Sequence, residues 1–272
     1  MVDQEGGRVA RLRPPHWHGH PAAAAFGRLF ETSPAAGLRA AWLTGALIGL
    51  DCRTAGFTIA ATPVLDVAIP GTHDVIGDRA FASHPAIVAR LARATACGVL
   101  AVGILPVGKH APGHGRTRVD SHLALPNVTD PDLSADIRPF ALNADLPWMM
   151  TAHIVYDALD PHLPATLSAT VIANVIRGRI GFEGVLVTDD LAMKALQGAP
   201  SDLALQALAA GCDIALYCSG DFAPTETLLR VCPPLSPGAA TRLQAGRTEA
   251  ARQRRQSLNP ASLLAERDRL LA

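Results

Sequence analysis

The sequence predicts an α/β fold, and within that class a TIM-type (β/α)8 barrel. Apolar runs typical of buried strands alternate with helical stretches along most of the 272 residues, which predicts parallel βαβ units. Several of those runs end at a polar or charged side chain, and a barrel builds its site from the ends of many strands. No G-x-G-x-x-G or Walker pattern follows a strand, so the phosphate loop common in doubly wound sheets is missing from the sequence.

The composition supports a large folded unit and excludes several classes of partner. Hydrophobic residues make up 49% and charged residues 18% of the chain, which is enough apolar material for a core. Lys plus Arg and Asp plus Glu each number 24, so no basic excess indicates binding to nucleic acid or to an anionic membrane. Five scattered cysteines, without a signal-peptide core or a membrane span, predict a cytoplasmic protein with free thiols, provided that the start is the true one.

The first third of the chain contains two predicted strands that end at acids. A short N-terminal run ends at Asp3, and the run from 57 to 66 ends at Asp66. Between them, an Ala- and Leu-rich stretch from 34 to 50 predicts a helix. The histidines of segment 16–20 alternate beside Pro and Gly without a cysteine or acidic cluster nearby, which favours a surface loop over a zinc or copper site.

The next part of the chain continues the alternation and then becomes rich in reactive side chains. Ser83 can cap a helix from 84 to 97, Gly98 is predicted to end that helix, and a strand follows at 99–107. The segment 109–122 is dense in Gly, His and charged residues. So much chemistry directly after a buried strand is costly for a simple connection, which indicates a functional loop.

The stretch 184–191 contains the first candidate for a reacting group. Its apolar residues predict a strand buried on both faces that runs into Asp189 and Asp190. A carboxylate at the end of a rigid buried strand opens toward a pocket, which makes Asp189 the first candidate for a reacting group. For this junction taken alone, the preferred interpretation is that one of the two acids caps a helix beginning at Leu191. The remaining predicted elements are helices at 130–142, 168–177, 201–210 and within 224–272, and strands at 147–153 and 212–218.

The requirements of sugar cleavage fit three of these side chains. A retaining glycosidase needs a carboxylate nucleophile and a proton donor that later acts as a base. Asp189 fits the first role. Asp120 and His122 fit the second, because residues i and i+2 of an extended loop point to the same side and histidine titrates near neutral pH. Taken alone, Asp120 could equally be a turn residue and His122 a satisfied polar side chain.

The same residues lie within five motifs that follow one another along the chain. Together the motifs resemble the β-N-acetylhexosaminidases of glycoside hydrolase family 3, in particular the bacterial cytoplasmic branch that acts in cell-wall recycling. The similarity extends in order from residue 2 to about residue 220. The motifs are Asp3-Gln4-Glu5-Gly6-Gly7-Arg8, Lys109-His110-x-Pro112-Gly113-His114-Gly115, Asp120-Ser121-His122, Thr151-Ala152-His153 and Thr188-Asp189-Asp190-Leu191.

The resemblance implies a retaining reaction that needs no metal and no other cofactor. It implies Asp189 as the nucleophile and Asp120 with His122 as the acid/base dyad. The implied substrate is a small-molecule sugar, a non-reducing terminal N-acetylglucosamine removed from 1,6-anhydro-muropeptides in peptidoglycan recycling, with no nucleic acid or membrane partner. The implied sugar-binding residues are Asp3 and Arg11, together with Arg79, Lys109 and His110, which hold hydroxyls and the N-acetyl group.

Several alternatives stay open at this point. Lys109 and Arg79 could form ordinary surface ion pairs, and His153 could be a structural residue of the pocket, so His153 is left out of the catalytic set. A family 3 β-glucosidase, or a relative that uses phosphate as acceptor, would share the nucleophile. The chain could also be a truncated and inactive sugar-binding protein.

The sequence departs from the family's pattern in two places. Ala111 stands where the family usually has Phe, which would loosen the catalytic loop without removing a reacting group. The family normally has roughly sixty residues before the Asp-Gln-Glu-Gly-Gly strand, and they supply the first two strands of the barrel. We therefore expect a single domain over residues 1–272 whose barrel lacks its first two strands, with the helices at about 224–272 packed on it. A misassigned start codon or a degraded copy would explain such a chain.

Overall fold

The computed structural model describes residues 1–72, 74–117 and 124–272. Its strands are β1 (Gln4–Gly6), β2 (Val9–Ala10), β3 (Ile59–Ala60), β4 (Leu105–Ala111), β5 (Asn127–Val128), β6 (Trp148–Thr151), β7 (Val155–Tyr156) and β8 (Val185–Val187). A parallel sheet with the order β3, β4, β6 and β8 lies at the centre. Parallel bridges extend it at both ends, from Val2 to Ala60 and from Ile214 to Val187. Six parallel segments of the described chain are therefore arranged in space in their sequence order.

Helices connect the parallel strands, as the predicted βαβ alternation requires. A segment with π-type hydrogen bonds, Val171–Arg179, precedes β8, and a 3₁₀ turn, Gly77–Arg79, lies between β3 and β4. Within the described ranges, no helix is both long and apolar enough to cross a membrane. The helices are α1 (Ala23–Thr32), α2 (Pro34–Thr54), α3 (Pro85–Leu100), α4 (Ser134–Ala141), α5 (Pro200–Ala210), α6 (Phe222–Val231), α7 (Pro237–Gln253) and α8 (Pro260–Leu271).

The central strands are covered on both faces, which is the usual state of a parallel sheet. Every residue of β4, β6 and β8 is buried. Neighbouring side chains point to opposite faces: Met149 belongs to the large cluster formed with the helices, whereas Met150 and Val187 belong to a smaller cluster on the other face.

Helix α7 lies against the amino ends of the strands. Its Ala250 joins the smaller cluster. A Cβ atom at Gly246 would stand 3.5 Å from Leu105 at the start of β4 and 3.5 Å from Pro147 just before β6. The carboxyl end of β8, where Asp189 lies, is therefore on the side away from α7.

Gly98 does not end the third helix, so this detail of the sequence prediction is wrong. Helix α3 continues to Leu100, and Gly98 lies where α3 crosses α2. A Cβ atom at Gly98 would be 2.1 Å from the carbonyl oxygen of Trp42, and one at Gly45 would be 2.1 Å from the carbonyl oxygen of Thr95. The two glycines allow the helix backbones to approach, which is a packing role.

The prediction of a helix beginning at Leu191 is also wrong. Residues 191–199 form turns, and the next helix, α5, begins at Pro200. Asp190 Oδ1 accepts the backbone N–H groups of Ala192 and Cys218, each at 2.9 Å. Asp190 therefore caps a turn and ties the end of β8 to the neighbouring segment.

The strand predicted at 212–218 is reduced to a single bridge at Ile214. Beyond this residue, the backbone N–H of Leu216 donates to the side-chain hydroxyl of Thr188 at 2.9 Å. A side-chain acceptor replaces the next backbone acceptor of the ladder, so regular pairing stops there.

The surface-loop prediction for residues 16–20 is wrong at His20, which is fully buried. Its Nε2 lies 2.9 Å from Asp51 Oδ2, and its Nδ1 lies 3.0 Å from Arg267 Nη1. Burial is the main cause of a lowered pKa for His20. The loop is thus fastened to α2 through Asp51 and to α8 through Arg267.

Candidate active site

Polar side chains gather at the carboxyl ends of the parallel segments. Asp3 follows Val2, His153 follows β6 and Asp189 follows β8, while Lys109 lies in the second half of β4. Because the segments are parallel, their carboxyl ends meet at one edge of the sheet. These side chains therefore lie at the same edge of the sheet.

Lys109 joins the two carboxylates of the first motif. Its Nζ lies 2.9 Å from Asp3 Oδ1 and 2.6 Å from Glu5 Oε1. Arg79 binds the same Glu5 through two hydrogen bonds, from Nε and Nη2, each 2.9 Å long. At the margin, Arg11 Nη2 lies 3.2 Å from Asp3 Oδ2. We call Asp3, Glu5, Arg11, Arg79 and Lys109 the charged floor.

The charged floor is an internal network, so the alternative of ordinary surface ion pairs is wrong for Lys109 and Arg79. Their side chains are 2% and 9% exposed, and that of Glu5 is 6% exposed. Asp3 and Arg11 are more open, at 36% and 60%. The charged floor therefore has an accessible margin, formed by the Asp3 carboxylate and the Arg11 guanidinium, and a buried interior.

Electrostatic attraction keeps the floor ionised. Attraction to Lys109 is the main reason why the pKa of Asp3 is lowered to about 2. Burial is the largest influence on Glu5 and opposes its ionisation, but Lys109 and Arg79 outweigh it and lower the pKa of Glu5 to about 2. Burial likewise opposes charge on Lys109, yet Glu5 and Asp3 raise its pKa. At neutral pH the floor therefore holds two carboxylates paired with three cations.

His110 is oriented by a buried carboxylate, Asp66. Asp66 Oδ2 lies 2.7 Å from His110 Nδ1, and Asp66 Oδ1 accepts the backbone N–H groups of His110 and His114 at 3.1 and 2.7 Å. A carboxylate only accepts, so Nδ1 carries a proton, and Nε2 is the ring nitrogen on the side away from Asp66. Arg79 Nη2 lies 3.5 Å from this Nε2, which places His110 beside the charged floor.

Asp189 is held as a carboxylate at the end of β8. Its Oδ1 accepts the N–H of Asp190 at 2.8 Å. Burial is the largest influence and opposes ionisation, but it is outweighed by the attraction of His110 and His153 in their protonated forms, by the hydrogen bond from the Asp190 N–H and by the attraction of Lys109, so the pKa of Asp189 is lowered from its ordinary value of 3.8. The ionised form is the one that a nucleophile requires.

Asp120 and His122, the predicted acid/base dyad, lie outside the described residues. The chain on both sides of them is bonded to strand β7. The Tyr156 hydroxyl donates to the carbonyl oxygen of Gly113 at 2.8 Å, and Asn127 of β5 lies opposite Val155 in a parallel pair. The segment predicted to carry the dyad is therefore flanked by two anchored stems.

Two residues of this site, Glu5 and Asp66, were not among the predicted site residues, although Asp66 was noted as the end of a strand. Glu5 lies two residues after Asp3, and residues two apart in an extended chain face the same side, so the motif contained the signal. Asp66 ends a predicted strand in the same way as Asp189 does. In the part of the chain that the structure describes, no group of three or more His, Cys, Asp or Glu side chains is placed to hold a metal ion.

Comparison with known proteins identifies the family. A sequence model described as the glycosyl hydrolase family 3 N terminal domain matches residues 1–244. A β-hexosaminidase of Thioalkalivibrio sulfidiphilus is 44% identical over 224 residues, which cover 80% of this chain and 64% of that protein. A β-hexosaminidase of Aromatoleum aromaticum is 36% identical over 270 residues, which cover 96% of this chain and 74% of that protein. The chain thus spans slightly less than two thirds of the first relative.

Solved structures agree with this result. NagZ from Neisseria gonorrhoeae, determined in complex with N-trifluoroacetyl-D-glucosamine, superposes with a TM-score of 0.85 at 31% identity and covers 100% of this chain and 81% of its own. A family 3 β-N-acetylglucosaminidase from Paenibacillus superposes with a TM-score of 0.84 at 29% identity, over 99% of this chain and 55% of its own. These similarities confirm the TIM-type α/β fold and the resemblance drawn from the motifs. The chain belongs to glycosyl hydrolase family 3.

Proposed function

We propose that the protein is a retaining exo-β-N-acetylhexosaminidase that removes a non-reducing terminal β-linked N-acetylglucosamine. The observation that carries the proposal is the placement of an ionised Asp189 on the same sheet edge as the charged floor. A reactive carboxylate beside a rigid set of sugar-sized polar contacts is the arrangement that glycoside cleavage needs. The naming of the relatives as β-hexosaminidases supports the choice of sugar.

In the proposed reaction, Asp189 attacks the anomeric carbon while the glycosidic oxygen leaves. The carboxylate forms a covalent glycosyl-enzyme, and an acid protonates the leaving oxygen. The same acid, now a base, removes a proton from the water that attacks the anomeric carbon and releases Asp189. The motif resemblance assigns the proton transfers to His122, with Asp120 supporting its imidazole.

The charged floor is suited to a neutral sugar. Each of its two carboxylates is paired with cations, and its hydrogen-bond groups are fixed before the ligand arrives, which reduces the entropy cost of binding. Asp3 and Arg11, at the open margin, offer an acceptor and a donor to hydroxyl groups. Lys109, Arg79 and His110 would hold further hydroxyls and the N-acetyl group from below.

The finer part of the proposal concerns the substrate and the cell compartment. We infer that the natural substrates are 1,6-anhydro-muropeptides and that the enzyme acts in peptidoglycan recycling in the bacterial cytoplasm. The resemblance of the five motifs supports this assignment, as does the similarity to NagZ. The partner would be a small sugar, with no nucleic acid, membrane or cofactor taking part.

Paired aryl glycosides test the proposal directly. Hydrolysis of 4-nitrophenyl β-N-acetylglucosaminide should be much faster than hydrolysis of the matching β-glucoside, and proton NMR should show the β-anomer as the first product. Faster cleavage of the glucoside would contradict the N-acetyl specificity. Release of N-acetylglucosamine from a purified N-acetylglucosaminyl-1,6-anhydro-muropeptide, followed by mass spectrometry, tests the natural substrate.

Two controls separate the rival functions. A phosphate-using relative would form a sugar 1-phosphate when inorganic phosphate is added, and chromatography of the products would reveal it. An inactive sugar-binding protein would bind N-acetylglucosamine in calorimetry while cleaving none of the glycosides.

A further inference from the structure

His153 is a buried titratable residue at the active edge to which the proposed reaction gives no role. It follows β6, and it is 0% exposed, so it has no direct access to a substrate. Both ring nitrogens have partners. Nδ1 lies 2.7 Å from Thr166 Oγ1, and Nε2 lies 3.0 Å from the carbonyl oxygen of Asp190.

These partners determine where the imidazole carries its proton. A carbonyl oxygen only accepts, so the proton is on Nε2. Burial is the largest influence on the pKa of His153 and lowers it, although Asp189 and Asp190 act in the opposite direction, so the ring is neutral at neutral pH. Nδ1 is therefore an acceptor, and the Thr166 hydroxyl donates a hydrogen bond to it.

A second hydroxyl completes the chain of hydrogen bonds. Thr151 Oγ1 lies 2.8 Å from Thr166 Oγ1, and because the Thr166 proton is directed to Nδ1, we infer that Thr151 is the donor of this pair. The Thr166 hydroxyl also lies 3.0 Å from the carbonyl oxygen of Ala152, but one proton serves one acceptor, and Nδ1 would otherwise be an unsatisfied buried atom. Thr151, His153 and Thr166 are all 0% exposed, so bulk solvent does not reach these groups.

The chain of hydrogen bonds ends on the backbone that carries the nucleophile. His153 holds the carbonyl oxygen of the peptide between Asp190 and Leu191, and the N–H of Leu191 donates to the carbonyl oxygen of Leu216 at 2.9 Å. This peptide is thus fixed from both sides. The Asp190 backbone in turn directs its own N–H to Asp189 Oδ1 at 2.8 Å.

We propose that His153 is a positioning residue that orients the Asp189 carboxylate through the backbone of Asp190, an inference that rests on the proposed function. His153 does not contact the reacting atoms and takes no proton during the reaction. Its hydrogen bond restricts the conformation of the Asp190 backbone, which in turn orients the Asp189 carboxylate. A displacement of about 1 Å at a reacting group can cost about 100-fold in rate, so this restraint acts on kcat.

Two substitutions of similar size test the inference. The side-chain amide of His153→Gln can still donate to the Asp190 carbonyl oxygen, whereas His153→Met fills the space without a donor. With 4-nitrophenyl β-N-acetylglucosaminide, the Met variant should lose about 100-fold in kcat with little change in KM. The Gln variant should recover about tenfold or more of that loss. Urea unfolding establishes that both variants are folded under the assay conditions.

The outcomes separate this inference from the proposed function. Equal losses of kcat in the Gln and Met variants, or a loss confined to KM, would overturn the positioning role while the wild-type activity stands. A wild-type protein that cleaves no glycoside would overturn the proposed function and this inference together. If the Met variant does not fold, Thr166→Val removes the donor to Nδ1, and an unchanged kcat in that variant would equally overturn the inference.

Discussion

Lys109 Nζ lies 2.6 Å from Glu5 Oε1, and neither side chain is more than 6% exposed. A buried ion pair contributes little net stability relative to an apolar pair, but the loss of one partner leaves the other charge buried and uncompensated. Glu5 also accepts two hydrogen bonds from Arg79, so its carboxylate contacts two cations.

Glu5→Gln should therefore destabilise the protein by about 3–5 kcal/mol, measured by urea unfolding at neutral pH. The matched control is Glu226→Gln, because the ion pair of Glu226 with Arg230 lies on the surface at 46% and 75% exposure. That control should change stability by about 0.5 kcal/mol or less. Equal effects of the two substitutions would contradict the burial of the charged floor.

Asp189→Ala should lower kcat by about 10⁴-fold or more, even with activated aryl glycosides, because the covalent step is lost. The neighbouring acid is the control. In Asp190→Asn, an amide oxygen can still accept the N–H groups of Ala192 and Cys218, so we expect a loss of about tenfold or less. Comparable losses in the two variants would argue against Asp189 as the nucleophile.

His122→Ala should act according to the leaving group. Proton donation matters most when the departing oxygen is basic, so a poor leaving group should lose about 10²–10⁴-fold in kcat/KM, whereas a dinitrophenyl group should be little affected. A series of aryl glycosides with graded phenol pKa values measures the effect. A uniform loss across the series would exclude His122 as the acid.

As pH is lowered from neutral, the free energy of unfolding should decrease before the carboxylates of the charged floor become protonated. Burial is the main reason why the pKa of His114 is lowered from 6.5 to about 4. Below pH 6.5 the unfolded chain binds a proton that the native state does not bind, so stability present above this pH is lost as pH falls toward about 4. The loss from His114 alone amounts to about 3 kcal/mol. The lowered pKa values of His20 and His153 act in the same direction.

Unfolding free energies at a series of pH values from neutral to about 4 would measure this loss. His114→Gln, which has no proton to gain in this range, should flatten the profile. An equal slope in wild type and variant would show that His114 does not contribute.

The sequence was sufficient where the signal is local. The apolar run before Asp189 indicated a buried strand because each of its residues is itself apolar, and β8 is entirely buried. Lys109 and Asp3 could be identified from their motifs. Their contact, however, joins residues 106 positions apart, and no local pattern reveals which carboxylates share one cation.

The errors have the same origin in long-range contacts. Glycine often ends a helix, but at Gly98 the carbonyl oxygen of Trp42 occupies the space that a side chain would need. His20 looks like a loop residue until Arg267, 247 positions away, is placed against its ring. Packing between distant segments decided both cases, and hydropathy along the chain does not contain that information.

Helix α7 contains a position for a stabilising substitution that is remote from the candidate active site. A methyl group added at Gly246 would meet Leu105, Pro147 and Trp148 at 3.5–3.6 Å, which is ordinary contact without a clash. Gly246→Ala should therefore gain about 0.5–1 kcal/mol by restricting the unfolded chain. Gly246 lies at the amino ends of the strands and Asp189 at the carboxyl end of β8. The gain in stability from Gly246→Ala should therefore be additive with the effects of substitutions around Asp189. Stabilising substitutions could thus be made first where α7 covers the amino ends of the strands, and sugar specificity could then be altered at the carboxyl ends.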